Sequence, residues 1–360
     1  MHNISWWRTS LGEDEISGIT SAINNECISQ GPLTLEFEKK ITELLNVPYA
    51  VATTSGSVAL LMALMALGIG RDDEVIVPNR TWVATAHAGL LLGAKIVLVD
   101  VLPDIPIMDV SQIRAKITSR TKAIIPVHLN GRSVNMAELN QLGREFNIPI
   151  VEDACQALFS RNSSGFLGTQ SDIGCFSLGV TKLLTTGQGG LLVTKQKHLY
   201  EKLLSVRNHG VVDNFTDTWN GLGCNFKFTD ILAALGLAQL SKATQRINHT
   251  QKIYTLYKER LAANDCVKLI PVDSDNGELS LFIEVLCNKR GDLVNYLQSK
   301  GIQTRPSLPS LHTSNYIGNH GVFPNSELFA TSSLFLPCGP SQPLENVVAV
   351  LDAINNFSRL

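Results

Sequence analysis

From residue 50 onward, short apolar segments alternate with stretches of helical periodicity, and this alternation limits the fold more than any other feature. Seven segments have the length and composition of strands: residues 50–53, 74–77, 95–101, 122–128, 149–152, 173–178 and 191–194. Continuous apolar runs such as residues 123–127 suit strands that helices cover on both faces. The pattern predicts an α/β fold with a mostly parallel, seven-stranded, doubly wound sheet, in which ligands bind at the carboxyl ends of the strands.

The segments on either side of this region predict helices and a second, smaller domain. Residues 10–13 read as a capping box that opens a helix ending near Asn25. Residues 228–263 have a helical period, which predicts one long helix or two helices joined end to end. Further strands are expected at residues 267–272 and 279–286, and further helices at residues 292–300 and 344–355. We therefore expect a large domain at residues 1–245 and a small C-terminal α+β domain at residues 246–360.

Composition excludes several classes of function. With 30 basic and 32 acidic residues, the net charge is −2, and no cationic run could line a nucleic-acid backbone. No apolar run approaches the ~20 residues that span a bilayer, and the start of the sequence lacks the pattern of a signal peptide. The seven cysteines show no paired spacing for zinc or redox exchange. We expect a cytoplasmic protein with no metal site, no nucleic-acid partner and no membrane partner.

Two residues suggest Schiff-base chemistry. Lys182 follows the apolar segment 173–178 and precedes a glycine-rich turn, while Asp153 closes the segment 149–152. A lysine amine can join a carbonyl cofactor covalently, and a carboxylate at a strand end can keep a pyridine nitrogen protonated. These are the roles that pyridoxal 5′-phosphate chemistry requires. Taken alone, Lys182 could equally be a solvated loop residue, and Asp153 a helix cap or an ion-pair partner.

Other polar and aromatic residues follow predicted strands in the same way. At residues 54–60 a strand gives way to an apolar helix, whose first N–H groups could hold a phosphate dianion together with the hydroxyl groups of Ser55 and Ser57. Ser177 could add a hydroxyl to the same phosphate. The Trp82 indole could stack on a pyridine ring. A generic helix cap and aromatic core packing are the alternatives for these features.

The ordered landmarks of the chain resemble the DegT/DnrJ/EryC1/StrS family of sugar aminotransferases, which use pyridoxal phosphate and have fold type I. The landmarks are residues 29–32, 55–57, 73–78, 81–85, 126–131, 152–156, 181–182, 207–210 and 233–240. The resemblance covers nearly the whole chain. It implies a homodimer with shared active sites.

The same resemblance assigns roles to individual residues. Lys182 would form the Schiff base, and Asp153 would pair with the pyridine nitrogen. Trp82 would stack on the cofactor ring, and Gln156 would contact the side of the ring that carries the phenolic oxygen. The phosphate contacts implied by the family motif are Gly56, Ser57, Val58 and Ser177, with Asn225 reaching in from the neighbouring subunit. Lys227, Arg305 and His312 are candidates for substrate contacts. Gly179 departs from the family pattern, because many members have histidine or an aromatic residue there.

The implied activity is transfer of an amino group from glutamate to a keto group of a nucleotide-linked 4-keto-6-deoxysugar, in the biosynthesis of amino sugars and surface polysaccharides. The loop at residues 185–190 resembles members that act at C4 of the sugar. Three alternatives remain open at this point: an aminotransferase for a keto-cyclitol of the scyllo-inosose type, one for a 3-ketosugar, and a sensor that keeps the fold without catalysis.

Overall fold

The computed structural model describes residues 3–211, 218–219, 221–318 and 321–359. In this part of the chain the helices are α1 (Glu13–Asn24), α2 (Pro32–Leu45), α3 (Gly56–Ala66), α4 (Ala84–Leu91), α5 (Met136–Phe146), α6 (Lys197–Arg207), α7 (Asp230–Ser241), α8 (Ala243–Leu261), α9 (Arg290–Ser299), α10 (Pro324–Ser332) and α11 (Leu344–Phe357). The strands are β1 (Tyr49–Thr53), β2 (Glu74–Pro78), β3 (Lys95–Val99), β4 (Thr121–Ile124), β5 (Val151–Asp153), β6 (Arg161–Asn162), β7 (Gly165–Phe166), β8 (Ile173–Ser177), β9 (Gly190–Thr194), β10 (Lys268–Leu269), β11 (Ile283–Leu286), β12 (Arg305–Pro306) and β13 (Ser333–Leu336). None of the helices in these ranges combines the length and apolar content that a bilayer crossing needs.

All seven strands predicted after residue 50 are present, but they form two hydrogen-bonded sheets. One has four strands in the order β1-β9-β8-β5, and the other has three parallel strands in the order β3-β2-β4. Isolated parallel bridges, Ile124 with Ile150 and Val127 with Asp153, link the neighbouring edges. The α/β class is therefore confirmed, whereas the single seven-stranded sheet is not.

Strand β9 makes the larger sheet mixed, because it runs antiparallel to both β1 and β8. The connection from β8 to β9 contains no helix, and a parallel pair needs a longer crossover that is usually helical. All the other strands of the two sheets run in one direction. Their carboxyl ends consequently lie along one edge, where the loops after β1, β2, β5 and β8 meet.

Helix α3 is apolar around almost its whole circumference, and most of its residues are buried. Its residues Ala59, Leu60 and Ala63 pack in the same core as Val51 of β1 and Leu192 of β9. This burial fixes the N-terminus of α3 beside the carboxyl end of β1. The position of that helix start matters for the site described below.

Beyond α6, the segment 228–263 forms two helices joined end to end, α7 and α8, as one of the two predicted arrangements requires. A separate antiparallel sheet with the order β10-β11-β13-β12 follows. Helices α9 and α11 confirm the predicted C-terminal helices. The boundary near residue 245 stays a prediction.

The predicted capping box at residues 10–13 is wrong. Helix α1 starts two residues later, with Gly12 at its N-cap and the Glu15 carboxylate accepting the Gly12 N–H at 2.8 Å. The Ser10 carbonyl instead accepts hydrogen bonds from Gln239 and Arg246, at 3.1 and 2.9 Å. Contacts with α7 and α8 thus determine where the first helix begins.

Candidate active site

A cavity of about 340 Å³ opens at the carboxyl ends of β1, β2, β5 and β8. Its wall includes most of the residues that the sequence assigns to a cofactor: Gly56, Ser57, Trp82, Asp153, Gln156, Ser177 and Lys182. Arg305, a candidate for substrate contact, lies in the same wall. The carboxyl ends of these strands thus bring together side chains that are far apart in the sequence.

Lys182 is presented by a tight turn directly after β8, in which its N–H donates to the Gly179 carbonyl at 3.0 Å. Burial lowers the pKa of Lys182 below its ordinary value, although neighbouring Cys155 and Asp153 act in the opposite direction. A lowered pKa increases the fraction of neutral amine near pH 7. A neutral amine is the form that attacks a carbonyl carbon.

Asp153 ends β5 as a buried carboxylate. One of its oxygens accepts the Thr85 hydroxyl at 2.7 Å, and the other accepts the Cys155 N–H at 3.1 Å. Among the residues that the structure describes, no cationic side chain forms an ion pair with Asp153. Because a buried carboxylate needs a compensating charge or proton, the geometry suits a cationic nitrogen in the cavity.

The start of α3 can receive a phosphate. Ser55 is the N-cap, and its hydroxyl accepts the Val58 N–H at 3.2 Å, so that the N–H groups of Gly56 and Ser57 remain as the first unpaired donors of the helix. A side chain at position 56 would collide with Ser177 and Cys155, since its Cβ would lie 2.8 Å from the Ser177 Cβ and 2.9 Å from the Cys155 sulfur. Glycine thus permits the close approach of this loop to Ser177.

Trp82 and Gln156 form two other parts of the wall. The Trp82 side chain is 51% exposed, which does not agree with the alternative of aromatic core packing. The Gln156 Oε1 accepts the Asn130 N–H at 2.9 Å. This contact orients the amide so that its NH₂ group remains available as a donor.

The structure does not bring Val58, Asn225, Lys227 and His312 into the cavity wall. The hydrogen bond to Ser55 occupies the Val58 N–H, and Asn225 is exposed, with its side chain accepting the Lys227 N–H at 3.4 Å. His312 is engaged elsewhere, because its ring contacts Asn79 at 2.9 Å and Glu327 at 3.3 Å.

Sequence reasoning missed several residues that the structure places in the cavity wall, and two of them, Thr85 and Trp6, bear on the chemistry proposed for the site. Thr85 lies at the start of α4, where its hydroxyl is 2.9 Å from that of Thr81, and no pattern in the local sequence indicated its contact with Asp153. Trp6 carried no local signal either, because it reaches the cavity from the far N-terminal end of the chain.

Pyridoxal 5′-phosphate fits the residues that are present. Within the described part of the chain, one cavity is surrounded by a half-buried amine, a buried carboxylate that has no cationic partner and a helix start with unpaired N–H groups. Each matches one group of the cofactor: the aldehyde, the pyridine nitrogen and the phosphate.

Comparison with known proteins agrees with this geometry. The sequence pattern of the DegT/DnrJ/EryC1/StrS aminotransferase family matches residues 9–355. GDP-perosamine synthase of Escherichia coli O157:H7 is 34% identical over 96% of this chain and 97% of its own length, and that of Caulobacter vibrioides is 33% identical over 79% and 78%. The solved structure of DesV from S. venezuelae superimposes with a TM-score of 0.95 at 28% identity, over 100% of both chains. The chain therefore belongs to the DegT/DnrJ/EryC1/StrS family and is a pyridoxal-phosphate-dependent aminotransferase.

Proposed function

We propose that this enzyme transfers an amino group from glutamate to the C4 ketone of a GDP-linked 4-keto-6-deoxysugar, for the synthesis of amino sugars and surface polysaccharides. The observation that carries the proposal is the grouping of Lys182, Asp153 and the α3 start around one cavity. The choice of substrate rests on the two relatives named GDP-perosamine synthase, one of which matches almost end to end.

Lys182 and Asp153 supply the chemistry of the chain itself. When bound, pyridoxal phosphate supplies a carbonyl for the amine and a ring that accepts electrons. Lys182 would hold the cofactor and, as a free amine, would carry a proton to and from the reacting carbon atoms. Asp153 keeps the ring nitrogen protonated, Trp82 covers the ring face, and the Gln156 amide donates to the phenolic oxygen.

The phosphate is assigned to the N–H groups of Gly56 and Ser57 and to the Ser177 hydroxyl, with Val58 next to them in the first turn of α3. Asn225 is exposed and outside its own cavity wall, which suits a contact with the phosphate of a neighbouring subunit. The proposal therefore includes a homodimer. It also includes fold type I, with the two linked sheets acting as one seven-stranded unit of a large domain that ends near residue 245.

Arg305 is proposed to contact the diphosphate of the sugar nucleotide. It lies in the cavity wall, and within the described ranges no carboxylate forms an ion pair with it. Lys227 and His312 are placed farther out, Lys227 partly exposed and His312 held by Asn79. They would serve only a ligand that extends beyond the cavity.

Assay of the holoenzyme with glutamate and GDP-4-keto-6-deoxy-D-mannose tests the proposal. Mass spectrometry should detect a product in which the C4 ketone oxygen is replaced by an amino group and a hydrogen atom. scyllo-Inosose is the comparison substrate for a keto-cyclitol enzyme. Turnover of scyllo-inosose alone would favour that alternative, and cofactor binding without any reaction with glutamate would favour a sensor.

Thr85 positions Asp153, and its removal should weaken cofactor binding. The Thr85→Val substitution deletes a hydrogen bond to a charged acceptor, a contact that contributes roughly 1.5–3 kcal/mol. We expect the dissociation constant of pyridoxal phosphate to rise by about 10- to 100-fold. Equilibrium titration of the apoenzyme measures it. Thr85→Ser keeps the hydroxyl and should restore most of the affinity, whereas equal loss in both variants would contradict a role for the hydrogen bond.

A further inference from the structure

Residues 3–9, which we name the N-terminal strap, join the C-terminal sheet region to the turn that carries Lys182. At one end, the Ile4 N–H donates to the Gly301 carbonyl at 2.9 Å, and the Cys338 N–H donates to the Trp6 carbonyl at 2.9 Å. At the other end, the Trp7 indole N–H and the Thr9 hydroxyl donate to the Val180 carbonyl, at 3.2 and 2.9 Å. Hydrogen bonds on both sides thus fix the backbone on either side of Trp6.

The Trp6 indole forms part of the cavity wall and is only partly buried. It packs against Phe282, with ring centroids 5.8 Å apart, and the Arg305 guanidinium carbon lies 5.2 Å from its ring centre. These contacts pack the indole against an aromatic ring and a cation. The indole is therefore a fixed surface of the site.

Gly179 leaves room in the same cavity. A Cβ at this position would meet only the Ser177 hydroxyl within 4 Å, at 3.5 Å, and the residue lines the cavity together with Trp6. Trp6, from the N-terminal strap, is one of the aromatic residues of this wall, together with Trp82, Phe282 and Phe335.

We propose that Trp6 is a specificity-determining residue that packs against the ring of the acceptor sugar. This inference rests on the proposed function and adds the residue that recognises the sugar. A 6-deoxyhexose has C–H groups on its ring and a methyl group at C6, which suit the electron-rich face of an indole. Binding sites of this kind combine aromatic surface with a few polar anchors, and Arg305 beside Trp6 provides such an anchor for the diphosphate.

Binding of two unreactive probes to the holoenzyme tests the proposal without turnover. GDP-mannose carries a sugar ring, and GDP lacks one. For Trp6→Ala we expect affinity for GDP-mannose to fall about tenfold or more, while affinity for GDP changes by less than about twofold, because the lost apolar contact is with the sugar. Isothermal titration calorimetry measures both. Trp6→Phe keeps an aromatic face and should retain most of the affinity for GDP-mannose.

Trp7→Phe is the matched control in the same strap. The substitution removes the hydrogen bond to Val180, but Trp7 lies outside the cavity wall. The affinity for GDP-mannose should therefore fall much less than in Trp6→Ala. Equal weakening of GDP and GDP-mannose in Trp6→Ala, or an equal effect in Trp7→Phe, would overturn the proposal. Because Trp6→Phe retains the packing on Phe282, it keeps the test usable if Trp6→Ala folds poorly.

Kinetics separate this inference from the proposed function. Trp6→Ala should raise KM for GDP-4-keto-6-deoxy-D-mannose far more than it slows the half-reaction with glutamate. If the wild-type enzyme shows no half-reaction with glutamate and no turnover of the sugar, the proposed function fails. If the wild type turns over and Trp6→Ala has unchanged sugar affinity, only the role of Trp6 fails.

Discussion

Replacement of Lys182 by alanine is expected to reduce transamination by at least about 10⁴-fold, because one substitution removes both a covalent attachment and a proton carrier. Lys182 is the lysine that lines the cavity, and burial there lowers the pKa of its amine. Borohydride reduction of wild-type holoenzyme followed by intact-mass measurement should show cofactor covalently retained on the protein. The variant should show none.

Lys195→Ala is a suitable control, since Lys195 is exposed and follows β9 outside the cavity. It should retain both turnover and covalent cofactor. Lys182→Arg distinguishes the effect of the positive charge from that of the covalent bond, because arginine keeps a cation in the cavity wall but cannot form the covalent bond to the cofactor. Turnover or borohydride-stable cofactor in Lys182→Ala would show that another residue holds the cofactor.

The positions of strands and of strand-end residues could be predicted because both depend on local sequence. The apolar residues 149–151 are followed by Glu152 and Asp153, which indicated that the Asp153 carboxylate lies at a strand end. In the same way, Ser177 ends β8 and Lys182 follows it. The antiparallel direction of β9 was harder to predict, because the composition of an apolar segment does not indicate the direction in which the strand runs.

Residues that act across long sequence separations could not be predicted. Thr85 binds Asp153 from a helix 68 positions earlier, and Trp6 reaches the cavity only because the N-terminal strap pairs with residues near 301 and 338. Neither contact follows from periodicity or strand ends. Both contacts depend on how the helices and the C-terminal sheet pack against the larger, four-stranded sheet.

Glu284 is the clearest case of such a contact. This buried residue of β11 accepts hydrogen bonds from Arg80, 204 positions earlier, at 3.2 Å, and from Arg132, 152 positions earlier, at 2.8 Å. Arg80 directly precedes Thr81 and Trp82, and Arg132 follows the loop whose Asn130 binds Gln156. A single carboxylate of the C-terminal sheet thus fixes two loops of the cofactor site.

Glu284→Ala should therefore be strongly destabilising. It would leave two buried guanidinium groups without their counter-charge, and breaking a buried pair in this way costs about 3–5 kcal/mol. Denaturant unfolding at saturating pyridoxal phosphate measures the change, since bound cofactor itself adds stability. Weaker cofactor binding should accompany it, because Arg80 and Arg132 hold the loops of Trp82 and Gln156.

Glu145→Ala is the matched control, because Glu145 forms a bidentate pair with Arg114 at 2.5 and 2.6 Å, but on the surface. Its unfolding midpoint should stay close to that of the wild type, since exposed pairs are screened by solvent. A loss of stability in Glu145→Ala as large as that in Glu284→Ala would contradict the argument from burial.

The dependence on pH provides a further check of the Glu284 pair. Burial alone would raise the pKa of Glu284, but Arg132 and Arg80 outweigh burial and lower it below its ordinary value of 4.5. A carboxylate with a lowered pKa contributes its full stability above the pKa of the unfolded state and loses it as the pH falls through the folded-state pKa. The difference in unfolding free energy between wild type and Glu284→Gln should hence be constant near neutral pH and shrink below about pH 4.5. A difference that persists unchanged in acid would mean that the shape of the side chain, and not its charge, joins these loops.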